Sequence, residues 1–519
     1  MNSVSKHKKL SLHTRYKAMT RDLSWETSYQ PMEKVYPYER YEGIKIHDWD
    51  KWEDPFRLTM DAYWKYQGEK EKKLYAVIDA FAQNSGQMGI SDARYVNALK
   101  LFVQGVTPLE YSAHRGFANA GRHFSGAGAS VAAQMQSVDE LRHYQTEVHA
   151  LSHFNKHFNG MHNFTHWYDR VWYLSVPKSF FEDALSGGPF EFLTAVSFSF
   201  EYVLTNLLFV PFMSGAAYNG DMSTVTFGFS AQSDEARHMT LGIECIKFIL
   251  EQDAENRPIV QRWIDKWFWR GYRLLTIVAM MQDYMLPKRV MSWKEAWETY
   301  AEKNGTALFK DLSLYGIKEP RGWRDACEGK DHISHQAWNT FYNYNAAAPL
   351  HTWVPVAEEM EWLSEKYPKS FDRYYRPRLD YCRSEQEQGR RFYNNTLPML
   401  CQICQIPMMF TEPGDASKIC YREVNYQDDK YHFCSDHCKQ IFCYEPEKYV
   451  QAWLPVHQIY QGNCFLDGVD PSQNDFDPLS AVLDYYELNA GIDNLDFEGS
   501  QDQLNFNKWD GEEAQEEAE

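Results

Sequence analysis

The stretch DELRH at 139–143 recurs as DEARH at 234–238, so one pattern, D-E-x-R-H, is written twice. In each copy the glutamate and the histidine stand three residues apart, which places both side chains on one face of an α-helix. A glutamate and a histidine at this spacing can bind one metal ion. The predicted pairs are Glu140 with His143, and Glu235 with His238.

A metal pair bridged by carboxylates also needs one acid from each of two further helices. Glu110 lies 30 residues before the glutamate of the first motif, and Glu201 lies 34 residues before that of the second. If each acid faces its motif across an antiparallel helical hairpin, a turn is expected midway between them. The sequences SGAG at 125–128 and YNGD at 218–221 are turn sequences at these midpoints.

The combined set has four carboxylates and two imidazoles, a donor set that suits two iron ions or manganese. The alternative, that each motif is a solvated helix face, is disfavoured because both partner acids have apolar flanks. The predicted ligands are Glu110, Glu140, His143, Glu201, Glu235 and His238. Four other motif residues are predicted to orient the histidines by hydrogen bonds: Asp139, Arg142, Asp234 and Arg237.

Helical periodicity extends well beyond the two motifs, whereas strand signals are scarce around them. We therefore expect a mainly α fold, a four-helix bundle elaborated with extra helices, followed by a small C-terminal zinc-binding module. The predicted parts are an N-terminal arm (1–55), a catalytic helical domain (56–286), an additional helical region (287–395), a Cys-rich module (396–455) and an acidic tail (456–519).

Charge and hydropathy exclude several functions. The formal charge of -19 argues against nucleic acid as a partner, which needs clustered Lys and Arg. The apolar stretch 192–213 is long enough for a membrane span, but Glu201 lies in its middle, so a buried helix is favoured over a membrane. The N-terminus lacks an apolar secretory segment. We expect a cytoplasmic protein.

Four cysteines have the spacing of a metal site. Cys401-x2-Cys404 and Cys434-x3-Cys438 are separated by 29 residues, and two such pairs suit a closed, tetrahedral structural zinc site. An iron–sulfur cluster is the alternative, but the usual run of closely spaced cysteines is missing. Three residues remain open as substitutes or additional ligands: His437, and more weakly Cys420 and Cys443.

Three histidines recur every four residues at 149, 153 and 157. Such a stripe is compatible with a metal site. We interpret His149, His153 and His157 instead as surface or interhelical residues, because the sequence shows no carboxylate at matching spacing.

The paired motifs, with Glu110 and Glu201, resemble the ferritin-like di-iron carboxylate proteins. The stretches at 52–84, 90–102 and 139–160 resemble large subunits of bacterial multicomponent monooxygenases, specifically phenol hydroxylases and toluene ortho-monooxygenases. The YHFCS stretch at 431–435 resembles the strand that marks a group of small zinc modules. The monooxygenase resemblance implies that O2 is activated at two iron ions to hydroxylate aromatic rings, such as phenol to catechol, or toluene or benzene to phenols.

This resemblance also implies roles for individual residues. Thr205 matches a threonine that assists proton delivery, whereas Asn206 and Gln232 match polar residues near the metal pair. For four further residues the resemblance implies a place in the substrate pocket, with ordinary core packing as the alternative: Val106, Ala113, Phe180 and Phe209.

The same resemblance implies partners. Two smaller hydroxylase subunits are expected in a dimer of heterotrimers, together with a small regulatory protein. Electrons from NAD(P)H are expected from a separate reductase with a flavin and an iron–sulfur cluster, because this chain shows neither a nucleotide-binding glycine loop nor a ferredoxin cysteine set. The alternatives are a ribonucleotide reductase radical subunit, a desaturase or an iron-storage protein. The ribonucleotide reductase subunit usually has an aspartate where Glu110 stands, and an iron-storage protein would be far shorter.

Overall fold

A computed structural model of the chain describes residues 10–20, 29–36, 38–158, 174–287, 290–342, 357–366 and 400–450, without 407, 409 and 428, and a few isolated positions between 161 and 452. Parts of the predicted N-terminal arm, much of the region 367–399 and the acidic tail lie outside these residues. The five-part division of the chain therefore stays a prediction.

The described part of the chain is mainly helical, as predicted. Its N-terminal and catalytic portions contain α1 (Leu12–Thr20), α2 (Met32–Val35), α3 (Met60–Gln83), α4 (Ala93–His123), α5 (Ala127–Phe154), α6 (Ser175–Ser186), α7 (Pro189–Leu193), α8 (Asn206–Tyr218), α9 (Met222–Gln252) and α10 (Asn256–Met280).

Both predicted hairpin turns are confirmed. Helix α4 ends and α5 begins around the glycines at 126 and 128, and α8 gives way to α9 across residues 219–221. In the second turn Gly220 has a φ of +77°, a conformation that glycine adopts without steric cost. Asp221 then caps α9 by accepting a hydrogen bond from the backbone N–H of Thr224 at 2.9 Å, which fixes where the helix starts.

The acid Glu201 does not lie on a regular α-helix as expected. It lies in a π-helical segment, Thr194–Tyr202, that follows α7 directly. The wider turns of a π-helix shift side chains relative to the α-helical register, and such segments often occur at functional sites. The π segment packs against α9, where Gly242 permits close approach of the two backbones.

The region after α10 continues in short helices and ends in a small mixed module. The helices are α11 (Trp293–Ala296), α12 (Lys303–Leu312), α13 (Trp323–Gly329), α14 (Ile333–Tyr342) and α15 (Ala357–Lys366). The module contains β1 (Thr411–Glu412), β2 (Asp415–Ile419), β3 (Arg422–Tyr426), β4 (Asp429–Phe433), α16 (Asp436–Tyr444) and α17 (Pro446–Tyr449). Strands β1–β2 and β3–β4 form two antiparallel hairpins.

The stretch considered as a membrane span is folded into the protein core. Among the described residues no single helix is long and apolar enough to cross a bilayer, although the pair Pro189–Tyr202 and Asn206–Tyr218, bent by 44°, meets the length and composition criteria together. Residues of this pair, including Phe198 and Leu207, are almost fully buried within the core. Glu201 is buried with them.

Candidate metal centres

The structure brings all six predicted iron ligands together in the interior. Helix α4 supplies Glu110, α5 supplies the first motif, the π segment supplies Glu201, and α9 supplies the second motif. All six side chains are buried. The two hairpins therefore place their acids and motifs face to face, as the turn positions had indicated.

His143 forms the first half of the centre. Its Nδ1 lies 3.4 Å from Glu110 Oε2 and 3.4 Å from Glu140 Oε2. The three groups are close enough for one ion to bind all of them.

His238 forms the second half. Its Nδ1 lies 3.2 Å from Glu140 Oε1, 3.6 Å from Glu235 Oε2 and 3.9 Å from Glu201 Oε1. Because one oxygen of Glu140 faces His143 and the other faces His238, this carboxylate is positioned to bridge two ions.

Each histidine is held by the aspartate of the opposite motif. His143 Nε2 lies 3.2 Å from Asp234 Oδ2, and His238 Nε2 lies 3.3 Å from Asp139 Oδ2. A carboxylate at Nε2 favours the tautomer that carries its proton there. The Nδ1 lone pair of each ring is then directed at the acids, as a metal ligand requires.

Helix α3 supports these aspartates through residues that sequence reasoning had not assigned. Tyr63 donates to Asp139 at 2.7 Å, and Gln67 donates to Asp139 at 3.0 Å and to Asp234 at 2.9 Å. Lys70 donates to Asp234 at 2.6 Å. The three α3 residues are spaced by four and three, a polar stripe on one helix face that could have been recognised in the sequence.

The motif arginines complete this layer. Arg142 donates to Asp139 at 3.0 Å and lies 3.5 Å from Asp234, and Arg237 forms an ion pair with Asp139. Of the four motif residues predicted to orient the histidines, the two aspartates contact the histidines directly, and the two arginines contact the aspartates. Burial would raise the pKa of Asp234, but the hydrogen bond and charge of His143 and the charge of Lys70 outweigh it and lower that pKa.

Burial controls the titration of the centre. It raises the pKa of Glu140 to about 7 and, together with the charge of Glu235, raises the pKa of Glu201 well above its usual range. Burial would also raise the pKa of Glu110, but the hydrogen bond and charge of His143 outweigh it and lower that pKa.

The donor set fits two divalent ions. His143 Nδ1, His238 Nδ1 and Glu235 Oε2 are buried and lack a hydrogen-bond partner, which is costly unless another group satisfies them. Four carboxylates carry four negative charges, which two divalent cations would balance. The residues present thus match a carboxylate-bridged pair of iron ions in donor type, number and charge.

Gln136 is a further residue of the centre that the sequence analysis missed. Its amide Nε2 lies 3.2 Å from Glu140 Oε1, and 3.1 and 3.0 Å from the two oxygens of Glu201. Ser197 in turn donates to Gln136 Oε1 at 3.3 Å. Gln136 precedes Glu140 by one helical turn, a spacing that marks it as facing the same interior.

Glu147, one turn after His143, is also buried near the centre. Both of its carboxylate oxygens lack a hydrogen-bond partner. Burial and the charge of Glu110 raise its pKa well above its usual range.

The three residues predicted to assist catalysis lie at the start of α8 and on α9, close in sequence to Glu201 and Glu235. Thr205 is buried at the junction between the π segment and α8, one turn after Glu201. Gln232 donates to Asn206 Oδ1 at 3.2 Å, which links α9 to the start of α8. The structure thus joins two of the three residues, and their catalytic roles stay a prediction.

The four predicted pocket residues are all buried in the apolar core. Phe180 on α6 packs against Phe200, at 5.7 Å between ring centroids, and against Trp267, at 5.3 Å. Phe200 directly precedes Glu201, so Phe180 contacts the segment that carries this acid. For Val106, Ala113 and Phe209 burial fits both a pocket wall and core packing, and their substrate contacts stay a prediction.

The four predicted zinc cysteines form one buried cluster. Cys404 and Cys434 lie 3.5 Å apart between sulfurs, and Cys434 and Cys438 lie 3.7 Å apart. A tetrahedral zinc ion with Zn–S bonds near 2.3 Å separates its sulfurs by about 3.8 Å, whereas a disulfide brings them to about 2 Å. The spacing, completed by Cys401, fits zinc.

The structure places the other candidate ligands outside the four-cysteine cluster. His437 is directed away from the sulfurs: its Nε2 lies 2.6 Å from Asp325 and its ring packs against Trp269. Cys420 is buried but outside the four-cysteine cluster, and Cys443 is exposed.

Arg273 on α10 is the buried cation beside the cysteines. Burial would lower its pKa, but the charges of Cys434 and Cys404 outweigh burial and raise it. Hydrogen bonds from the other cysteines and the charge of Arg273 lower the pKa of Cys434 well below its usual range, against the effect of burial. Arg273 thus favours the thiolate state that zinc binds.

The histidine stripe is partly interhelical, as interpreted, but the expected lack of a carboxylate was wrong. Asp79 on α3 lies 2.8 Å from His149 Nε2 and 3.1 Å from His153 Nε2. This aspartate precedes His149 by 70 residues, so only the packing of α3 on α5 brings it there. His157 is exposed.

Comparison with known proteins gives two regional matches. Residues 25–253 match the family described as methane/phenol/alkene hydroxylase. Residues 410–453 match a YHS domain, in agreement with the resemblance noted at 431–435. The first match contains all six residues of the buried centre.

Two relatives align over most of the chain. Phenol 2-monooxygenase, oxygenase component DmpN, of Pseudomonas sp. (strain CF600) is 65% identical over 493 residues, which cover 95% of this chain and 94% of that protein. The alkene monooxygenase system oxygenase component subunit alpha of Xanthobacter autotrophicus is 27% identical over 83% of this chain and 87% of that protein.

A solved structure is similar over nearly the whole chain. It is the xenon-pressurised phenol hydroxylase from Pseudomonas sp. OX1, with a TM-score of 0.80 and 66% sequence identity, covering 93% of this chain and 96% of that one. The fold is therefore shared along with the sequence.

Proposed function

This chain belongs to the methane/phenol/alkene hydroxylase family, and we propose that it is the oxygenase component of a phenol 2-monooxygenase that converts phenol to catechol. Toluene and benzene are further candidate substrates. The observation that carries the proposal is the buried set of four carboxylates and two imidazoles, with Glu140 between the two halves. Neither a radical-storing reductase subunit nor an iron-storage protein accounts for the similarity to phenol 2-monooxygenase over 95% of the chain.

The six residues of the centre would hold two iron ions. When bound, the irons supply O2 activation, with one oxygen atom entering the aromatic ring and the other leaving as water. Asp139 and Asp234 hold the two imidazoles in the tautomer that binds metal. Gln136 donates to Glu140 and Glu201 and so restricts where these carboxylates move.

The surrounding residues supply protons and exclude water. Thr205 is proposed to deliver protons to the centre, with Asn206 and Gln232 ordering the adjacent polar path. The apolar side chains of Val106, Ala113, Phe180 and Phe209 are proposed to form the pocket for the ring. A dry pocket strengthens every electrostatic interaction within it and suppresses side reactions.

The proposed assembly follows from the multicomponent nature of the named relatives. We expect two smaller subunits in a dimer of heterotrimers, a regulatory protein and an NAD(P)H reductase with a flavin and an iron–sulfur cluster. A cytoplasmic location is supported by the reduced cysteine cluster, because thiols stay reduced in that compartment.

Turnover and metal content test this function together. The purified native complex should contain about two irons and one zinc per copy of this chain and should convert phenol to catechol with reductase and regulatory protein. Glu110→Ala should abolish hydroxylation and lower iron content, because it removes a ligand from the His143 half. Full activity with two irons retained would contradict the ligand assignment.

The zinc assignment is tested by a pair of cysteine variants. Cys434→Ser should lose zinc and fold in lower yield, while the surviving protein still binds iron, because the two metal sites are built from separate residues. Cys443→Ser, which changes an exposed cysteine of the same module, should keep zinc and yield. Selective loss of iron from Cys434→Ser with zinc intact would contradict this division.

A further inference from the structure

A third cluster of metal-ligating side chains lies outside both sites described above. Asp79 on α3 faces His149 and His153 on α5, and the three potential ligand atoms lie within 4.8 Å of one another. The histidines are separated by four residues, so their rings project from one face of α5. Two histidines at this spacing form a common half of zinc sites.

The geometry is close to that of a bound ion. The two imidazole Nε2 atoms lie 2.8 and 3.1 Å from the same oxygen, Asp79 Oδ1. A tetrahedral ion with bonds of 2.0–2.2 Å to nitrogen and oxygen separates its ligands by about 3.3–3.6 Å. Shifts of about half an ångström would therefore admit an ion between these three side chains.

The rings are held in place before any ion binds. Tyr75 packs edge-on against His149 at 4.7 Å, and the rings of His149 and His153 meet edge-to-face at 5.0 Å. The buried Nδ1 of His153 has no hydrogen-bond partner. Because their rings are already packed, the histidines lose little rotamer freedom when an ion binds.

The cluster is open to solvent, unlike the two buried sites. The exposed side-chain fractions are 42% for Asp79, 32% for His149 and 16% for His153. An ion can therefore enter without unfolding, and positions remain for water or for an outside ligand. Two imidazoles with one carboxylate favour a borderline divalent ion such as Zn²⁺ over Mg²⁺ or Ca²⁺.

We propose that Asp79, His149 and His153 form a third metal site, which binds Zn²⁺ and fastens α3 to α5. Both helices serve the catalytic centre: α3 carries Tyr63 and Gln67, which hold the motif aspartates, and α5 carries the first motif. An ion that binds the folded state alone raises its stability with increasing concentration. Zinc bound at this site thus stabilises the packing of α3 on α5, and with it the residues of these helices that support the di-iron centre.

Titration of Zn²⁺ into the native complex, after its own iron and zinc have been counted, tests the site by calorimetry and thermal denaturation. One additional zinc per copy of this chain and a concentration-dependent rise in Tm are expected. Asp79→Asn and His149→Gln preserve side-chain size and polarity and should weaken this binding by about tenfold or more.

The matched control is His157→Ala, which removes the exposed third histidine of the stripe. It should bind the additional zinc as the unchanged protein does. No additional zinc at saturating concentrations, or equal binding by His149→Gln and the unchanged protein, would overturn the proposal. Because the readout is zinc binding and not turnover, its failure would leave the proposed hydroxylase function standing.

Discussion

At the scale of single residues, the centre depends on contacts that cross between its two motifs. Asp139 and His238 come from different helices, as do Asp234 and His143. Each motif therefore presents its own glutamate and histidine to the centre, while its aspartate contacts Nε2 of the histidine of the other motif. Loss of one aspartate is expected to weaken metal binding in the opposite half of the site.

We predict that Asp139→Asn weakens iron binding by about 10–100-fold, because a neutral amide makes His238 a poorer donor to metal. Iron retained during dialysis against a chelator measures the effect, and thermal denaturation reports any loss of folding from the broken Arg237 contact. Asp253→Asn is the control, since Asp253 accepts from His47 at 2.9 Å near the surface. Unchanged iron retention in Asp139→Asn would refute the crossed arrangement as a determinant of binding.

At the scale of elements, Glu201 is positioned by the close packing of the π segment on α9. A Cβ added to Gly242 would lie 2.5 Å from the backbone carbonyl carbon and oxygen of Ser197. Backbone atoms cannot rotate away as a long side chain can, so any larger residue must separate the two elements. Gly242 therefore sets the depth at which the π segment, and with it Glu201, enters the centre.

Gly242→Ala is accordingly expected to destabilise the protein by about 1–3 kcal/mol, the usual cost of overpacking, and to lower iron content by displacing Glu201. Chemical denaturation and metal analysis measure the two effects. Gly68→Ala on α3 is the matched control, because nothing lies within 4 Å of an added Cβ there. It should be neutral or stabilising by about 0.5–1 kcal/mol. Equal stability of the two variants would show that the π segment tolerates displacement.

At the scale of the whole molecule, a buried charge cluster joins the zinc module to the catalytic helices. Asp183 on α6 lies 3.1 Å from Lys266 and 3.0 Å from Arg270, both on α10. From α17, Lys448 lies 2.5 Å from Asp183 and Tyr449 donates to it at 2.9 Å. The Asp183 cluster thus attaches the module to the enzyme body, together with Arg273 beside the sulfurs and the contact of His437 with Asp325.

Asp183→Asn should destabilise the protein by about 3–5 kcal/mol at neutral pH, because the nearby cations lose their buried partner. Burial would raise the pKa of Asp183, but Lys266 and Arg270 outweigh it and lower the pKa below its ordinary 3.8. The charge-dependent stability is therefore present above that ordinary value and is lost as the pH falls towards the folded-state pKa.

Tm measured from pH 7 down to pH 2 should show the unchanged protein keeping its advantage over Asp183→Asn above pH 3.8 and losing it progressively below that value. Asp415→Asn, which breaks an exposed ion pair with Lys418 in the same module, should cost less than about 1 kcal/mol. A constant difference in Tm across this pH range would contradict the ionic origin of the attachment.

The local spacing of the sequence was enough to predict which acids and histidines meet in the interior, although not the π conformation that carries Glu201. The glutamate and histidine of each motif lie three residues apart, and helical geometry alone places such pairs on one face. The turns followed from the midpoints between acids and motifs, and the four-cysteine cluster followed from two short spacings. These features depend on contacts within one helix, one hairpin or one short loop. Such contacts are determined by residues that are close together in the sequence.

Only the tertiary structure decided how the helices meet. The crossed aspartates, the support from Tyr63 and Gln67, and the contact of Asp79 with His149 join residues 70 to 167 positions apart. The π conformation around Glu201 and the turning of His437 towards Asp325 likewise depend on packing against distant elements. No local propensity encodes such distances or orientations, because they result from the simultaneous burial of several helix faces in one core.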